Sequence, residues 1–123
     1  MNRGSKQQTG QAAEATACDH LQQHGLQLIE RNYHCRQGEI DLIMRDNESL
    51  VFVEVRYRRQ TRYGHAAETV VRSKQVRIIY CAQYYMHCHQ TWNDVARFDV
   101  ISIEGEPEDP AISWLKDAFR LDA

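Results

Sequence analysis

The segment LVFVEVRY at residues 50–57 restricts the fold more than any other stretch of the chain. Side chains alternate along a strand, so Leu50 and Phe52 share one face while Val51, Val53 and Val55 share the other. Both faces are apolar. A strand buried on both sides belongs in the middle of a sheet, with helices covering it above and below.

The flanking segments fit that expectation. Residues 10–24 read as a helix with Ala13, Ala17 and Leu21 on one stripe, ended by Gly25. Residues 26–33 and 38–45 read as strands. Residues 70–88 read as a second helix, with a stripe of Val71, Ile78, Ile79, Ala82 and Tyr85. Residues 97–104 read as a further strand, and the tail from Pro107, with Ile112, Trp114, Leu115 and Phe119, as a docked short helix. The expected architecture is α/β, a mixed central sheet flanked by helices. Residues 1–9 are expected to be a flexible lead and residues 10–123 a single domain, which suits 123 residues.

Composition excludes several classes. Fifteen Lys and Arg stand against 17 Asp and Glu, so the chain is not a simple polycation. The longest unbroken apolar run, Ile78 to Ala82, has five residues, too few to span a membrane. The first thirteen residues lack the apolar core of a signal peptide, so the expected location is the cytoplasm. Cys18, Cys35, Cys81 and Cys88 form no CxxC pair, which agrees with a reducing compartment. His87-Cys88-His89 is a poor zinc site, because adjacent helical residues point apart.

The chemistry-bearing feature is the hairpin of residues 38–57. With Asn47-Glu48 as a two-residue turn, Ile43 faces Phe52 and Asp41 faces Glu54. Directly opposed residues have Cβ atoms roughly 4.5–5.5 Å apart, and like charges so placed destabilise a sheet. A divalent cation between them reverses that sign, and hard oxygen ligands suit Mg²⁺ or Mn²⁺. Arg56 lies on the same strand face as Glu54, a cation placed to steady a phosphate. Glu39 points the same way as Asp41, and Glu14 falls inside the apolar stripe of the first helix. The structural alternative is a salt-bridged patch of Asp41, Glu54 and Arg56.

These residues resemble a known pattern. An acid on one hairpin strand followed by acid-x-Lys on the next is the signature of the restriction-endonuclease-like PD-(D/E)xK nucleases. More closely, the chain resembles the YraN family of small bacterial proteins. The matching segments are Gly10 with Glu14, RNYHCRQGEIDLIMRD at 31–46, LVFVEVRYR at 50–58, GHAAETV at 64–70 with Lys74, RFDVISI at 97–103 and WLKDAF at 114–119. The resemblance implies a restriction-endonuclease-like three-layer domain and a metal held by Asp41, Glu54 and Glu14. In this sequence Arg56 replaces the lysine of the motif, and Arg does not readily give up a proton to serve as a base. Lys74 is a candidate substitute, set against an ordinary solvated lysine. Junction-cutting relatives work as dimers, so the resemblance extends to a homodimer.

Charge is unevenly distributed. Arg56, Arg58, Arg59, Arg62, Arg72, Lys74 and Arg77 crowd into 22 residues with one acid, Glu68. Such a block draws a phosphate backbone towards the carboxylates. Tyr57 and Tyr63 are placed among these cations to stack on bases. The expected function is a metal-dependent nuclease acting on DNA, branched or recombining DNA included. A nuclease-fold nucleic-acid-binding protein with little cleavage and a purely structural module are the alternatives.

Overall fold

The computed structural model describes residues 3–58, 70–106 and 108–121, with side chains from residue 10 onward. In chain order the elements are α1 (Arg3–Gln23), β1 (Gln27–Cys35), β2 (Gly38–Asp46), β3 (Ser49–Arg58), α2 (Arg72–Cys88), β4 (Ala96–Glu104) and β5 (Ala111–Leu115). The helix α1 starts at Arg3, inside the segment expected to be a flexible lead.

The five strands form one sheet in the order β1-β2-β3-β4-β5. The pairs β1–β2, β2–β3 and β4–β5 are antiparallel, and β3–β4 is parallel. The parallel pair requires a crossover, which contains α2. β3 is central, as its two apolar faces demand. Leu50 and Phe52 pack with Ile78, Ile79, Ala82 and Tyr85 of α2. Val51 and Val53 pack with Ala13, Ala17 and Leu21 of α1. The result is three layers, helix–sheet–helix, compatible with a restriction-endonuclease-like domain. Val71 departs from its expected stripe: it is the exposed residue ahead of α2.

The hairpin register is the expected one, with Ile43 opposite Phe52 and Asp46 opposite Ser49. Asn47 takes the left-handed backbone region, at φ 56, that closes the turn. Gly25 has φ 95, and the Leu26 amide donates to the Leu21 carbonyl, ending α1 as expected.

The tail corrects an expectation. Residues 111–115 form a strand rather than a short helix. Ile112 and Trp114 pack inward on the α1 side while Ala111, Ser113 and Leu115 are left more exposed or pair in the ladder, a period of two. Burial of Asp99 secures the strand. Its carboxylate accepts from Arg97 Nε (3.0 Å), Trp114 Nε1 (3.0 Å) and the Asp117 amide (2.9 Å). A helical tail could not deliver both the indole and the Asp117 amide to that one carboxylate while pairing with β4.

Candidate metal centre

Asp41 stands where the hairpin stops being a ladder. The β2–β3 pairing runs from Asp46–Ser49 to Leu42–Val53 and ends there. One residue further, the Val55 amide donates to Asp41 Oδ2 at 2.8 Å instead of to a backbone carbonyl of β2. Alternation breaks at the same point: Ile40 and Ile43 both belong to the α2-side core, while Leu42 and Met44 belong to the other. The Asp41 side chain therefore lies between the diverging strands.

Glu54 is next to it and only 4% exposed. The two carboxyl groups share a side-chain hydrogen bond, the expected meeting of acids across the hairpin. Burial, then the Glu54 charge, push the Asp41 pKa up to about 8, against the pull of the Val55 amide. A group so placed holds a proton at neutral pH.

α1 and α2 approach this pair from opposite layers. Glu14 on α1 is half-buried, and its charge is felt at Asp41. Burial raises the Glu14 pKa, and a hydrogen bond from the Asn32 side chain opposes the rise. Asn32 adopts φ 53 in the middle of β1, a backbone state that asparagine tolerates better than most residues. Sequence reasoning missed it; the polar Arg31-Asn32 step inside a strand was the available signal.

On the α2 side, Lys74 Nζ lies 2.5 Å from Glu54 Oε2. In sequence Lys74 belongs both to the basic block and to the candidates for the missing motif lysine. The structure brings it to the acid pair from the first turn of α2. Among the described residues Arg56 forms no ion pair with Asp41 or Glu54; the salt-bridge partner of Glu54 is Lys74. Glu39 is exposed, its carboxylate 3.7 Å from His34 Nδ1, and its charge is felt at Glu14.

The other expected cations have separate fates. Arg72 donates to Gln75 and to the Arg120 and Leu121 carbonyls, so it ties α2 to the C-terminal segment. Arg77 is exposed beside the β1–β2 turn, its Cβ 3.8 Å from the position a Gly38 Cβ would take. Arg58 ends β3 opposite Glu104, with its carbonyl accepting from Gly105. Arg59, Arg62 and Tyr63 lie outside the described residues. Tyr57 donates its hydroxyl to the Gly105 carbonyl at 3.2 Å, which fixes it to the β4 end.

Among the described residues no three His, Cys, Asp or Glu side chains form a ready metal cage. His89 instead stacks on Tyr85 and His87 lies near Trp92. The donor set of Asp41 and Glu54 still fits a hard divalent ion. Mg²⁺ usually takes one or two carboxylates from a protein and fills its other positions with water and substrate phosphate. The proton held by half-buried Asp41 is what such an ion would displace. No helix among the described residues is long and apolar enough to cross a membrane.

Comparison with known proteins agrees with the resemblance in the sequence. The profile of the uncharacterised protein family UPF0102 matches residues 13–103. A UPF0102 protein of Nitrosococcus oceani is 48% identical over 124 residues, covering 100% of both chains. One from Pseudomonas syringae pv. syringae is 48% identical over 121 residues, covering 97% of this chain and 98% of the relative. One from Colwellia psychrerythraea is 44% identical over 112 residues, covering 89% and 87%. With its whole length matched in this way, the chain belongs to the UPF0102 family, the YraN family that its motifs resemble.

Proposed function

We propose that this protein is a metal-dependent nuclease that hydrolyses phosphodiester bonds in DNA, with branched or recombining DNA as its substrate class. One observation carries the proposal: a pair of carboxyl groups, buried Glu54 and half-buried Asp41, with an ammonium group, Lys74, held against Glu54.

Asp41 and Glu54 would hold Mg²⁺ or Mn²⁺, and Glu14 would tune the site through its charge. Such an ion would supply an acidified water and polarise the phosphate. Glu54 orients Lys74 Nζ, which is placed to align the attacking water and to neutralise charge on the phosphoryl oxygens. Lys74 thus supplies from α2 the cation that the motif carries on the strand. Arg56, two residues along from Glu54, steadies the scissile phosphate. Backbone cations of this kind position a strand without reading its sequence.

The test is a panel of labelled linear duplex, single-stranded and four-way DNA, with and without Mn²⁺. Cutting of one substrate by the wild type, absent in Glu54→Ala and strongly reduced in Lys74→Met, supports the proposal. The Arg56 substitution favours a second reading, a nuclease-fold protein that binds DNA without cutting it. Salt-sensitive binding that survives Glu54→Ala, with no cutting by the wild type, selects that reading.

A further inference from the structure

The outer face of α2 has a composition that the acid centre does not use. From Arg72 to Cys88 the helix carries Arg72, Lys74 and Arg77 and no acidic residue. Arg77, Tyr80 and Tyr84 follow one another at helical spacing and all are exposed, Tyr80 at 46% and Tyr84 at 52%. Both tyrosines leave the core to Ile78, Ile79, Ala82 and Tyr85, so packing does not account for them. Lys74, at the head of this stripe, is the residue that touches Glu54. The β1–β2 turn lies alongside, because Arg77 abuts Gly38, and that turn presents the exposed Arg36. The acid nearest by sequence, Glu39, lies on the neighbouring strand with His34 Nδ1 3.7 Å from its carboxylate.

We propose that Arg36, Arg77, Tyr80 and Tyr84 form a track for an unpaired nucleic-acid strand leading to the acid centre. Phosphates lie on the two arginines, and two successive bases stack on the tyrosines. Tyr80 and Tyr84 are one turn apart, roughly 6 Å along the helix axis, so each has room for its own base. Stacking on aromatic rings is tolerant of sequence, and the absence of acid on α2 matches a phosphate backbone. A rigid duplex cannot present its bases to a convex helix face, so the track selects unpaired strands. The destination of the strand rests on the nuclease reading; the binding itself does not.

The test is fluorescence anisotropy in EDTA, with the full chain and labelled dT and rU 15-mers beside a duplex of equal length. The expected result is tighter binding of an unpaired strand than of the duplex. Tyr80→Ala/Tyr84→Ala should lose affinity on the order of tenfold for each ring, while Tyr80→Phe/Tyr84→Phe keeps it. Arg77→Ala should reduce the salt slope by about one. Loss with either strand, DNA or RNA, supports the track. Equal affinity of wild type and the alanine variant, with an unchanged melting temperature, overturns it, as does a duplex bound as tightly. Cutting of duplex DNA without any binding of unpaired strands sinks this inference alone. A working track with no metal-dependent cutting sinks the nuclease reading alone.

Discussion

Lys74 Nζ and Glu54 Oε2 lie 2.5 Å apart although they come from opposite ends of the crossover between β3 and α2. The carboxylate is 4% exposed and the lysine side chain 42% exposed, so one partner is buried and the other reaches in from water. Removing the lysine strands a buried charge; removing the acid releases a lysine that solvent can accommodate. Lys74→Met should therefore destabilise by about 1–3 kcal/mol, less than a fully buried pair because the lysine is partly solvated. Adding Glu54→Gln to that variant should recover most of the loss. Urea unfolding of the four members of the cycle measures it, and additive losses would remove the pair from the account.

Asp41 predicts an unusual pH dependence. Its pKa rises from 3.8 to about 8 on folding, so across that range the folded state holds a proton that the unfolded chain has released. The stability contributed at Asp41 is present at low pH and lost as pH climbs towards 8. Asp41→Asn keeps an acceptor for the Val55 amide and abolishes the titration. Its stability relative to wild type should grow between pH 5 and pH 8.5, by at least about 1 kcal/mol. A difference that stays flat with pH counts against the buried proton.

The same proton is in the way of a metal. Mg²⁺ or Mn²⁺ at millimolar concentration should raise the melting temperature by a few degrees, and Asp41→Asn should abolish the shift. Binding should release close to one proton near neutral pH and strengthen as pH rises. Titration calorimetry in two buffers of different ionisation enthalpy reads that proton directly.

Asp99 should prove essential to the tail. It is fully buried and receives Arg97, the Trp114 indole and the Asp117 amide. Asp99→Ala should cost about 3 kcal/mol or more, since it leaves buried donors unpaired and one arm of Arg97 without its anion. Near-UV circular dichroism should report the loosening of Trp114 before global unfolding. An unchanged tryptophan signal would separate β5 from this carboxylate.

Much of this was legible in the sequence. A two-residue turn and strict alternation determine a register, and a one-residue slip would have turned Ile43 and Phe52 out of the core. The inward placement of Glu14 was legible for a similar reason, because helical spacing places it among Ala17, Cys18 and Leu21. The tail was harder. Five residues of strand carry little periodicity, and its Ile and Trp could equally have marked a helix face. The Val55 amide was invisible, because its role depends on the point at which the β2–β3 ladder ends, and Asn32 left only a polar step inside a strand as its sign. Arg72 and Lys74 are two positions apart and equally basic in sequence. Only the packing of α2 sends one to the C-terminal carbonyls and the other to Glu54.

The end of the β2–β3 ladder at Leu42–Val53 divides one hairpin into two jobs. Towards the turn the rungs are zipped, the three nearest the break (Leu42–Val53, Ile43–Phe52 and Met44–Val51) are apolar, and changes there are felt in folding free energy. Beyond the last rung the strands part, and the exposed backbone donor of Val55 is met by a side chain that can also serve a guest. Substitutions such as Ile43→Val should therefore weaken the protein without retuning ion capture, while changes at Asp41 should retune ion capture together with the pH dependence of stability. Packing strength and chemistry sit at separate addresses only a few residues apart, so the apolar rungs are open to adjustment without disturbing the site.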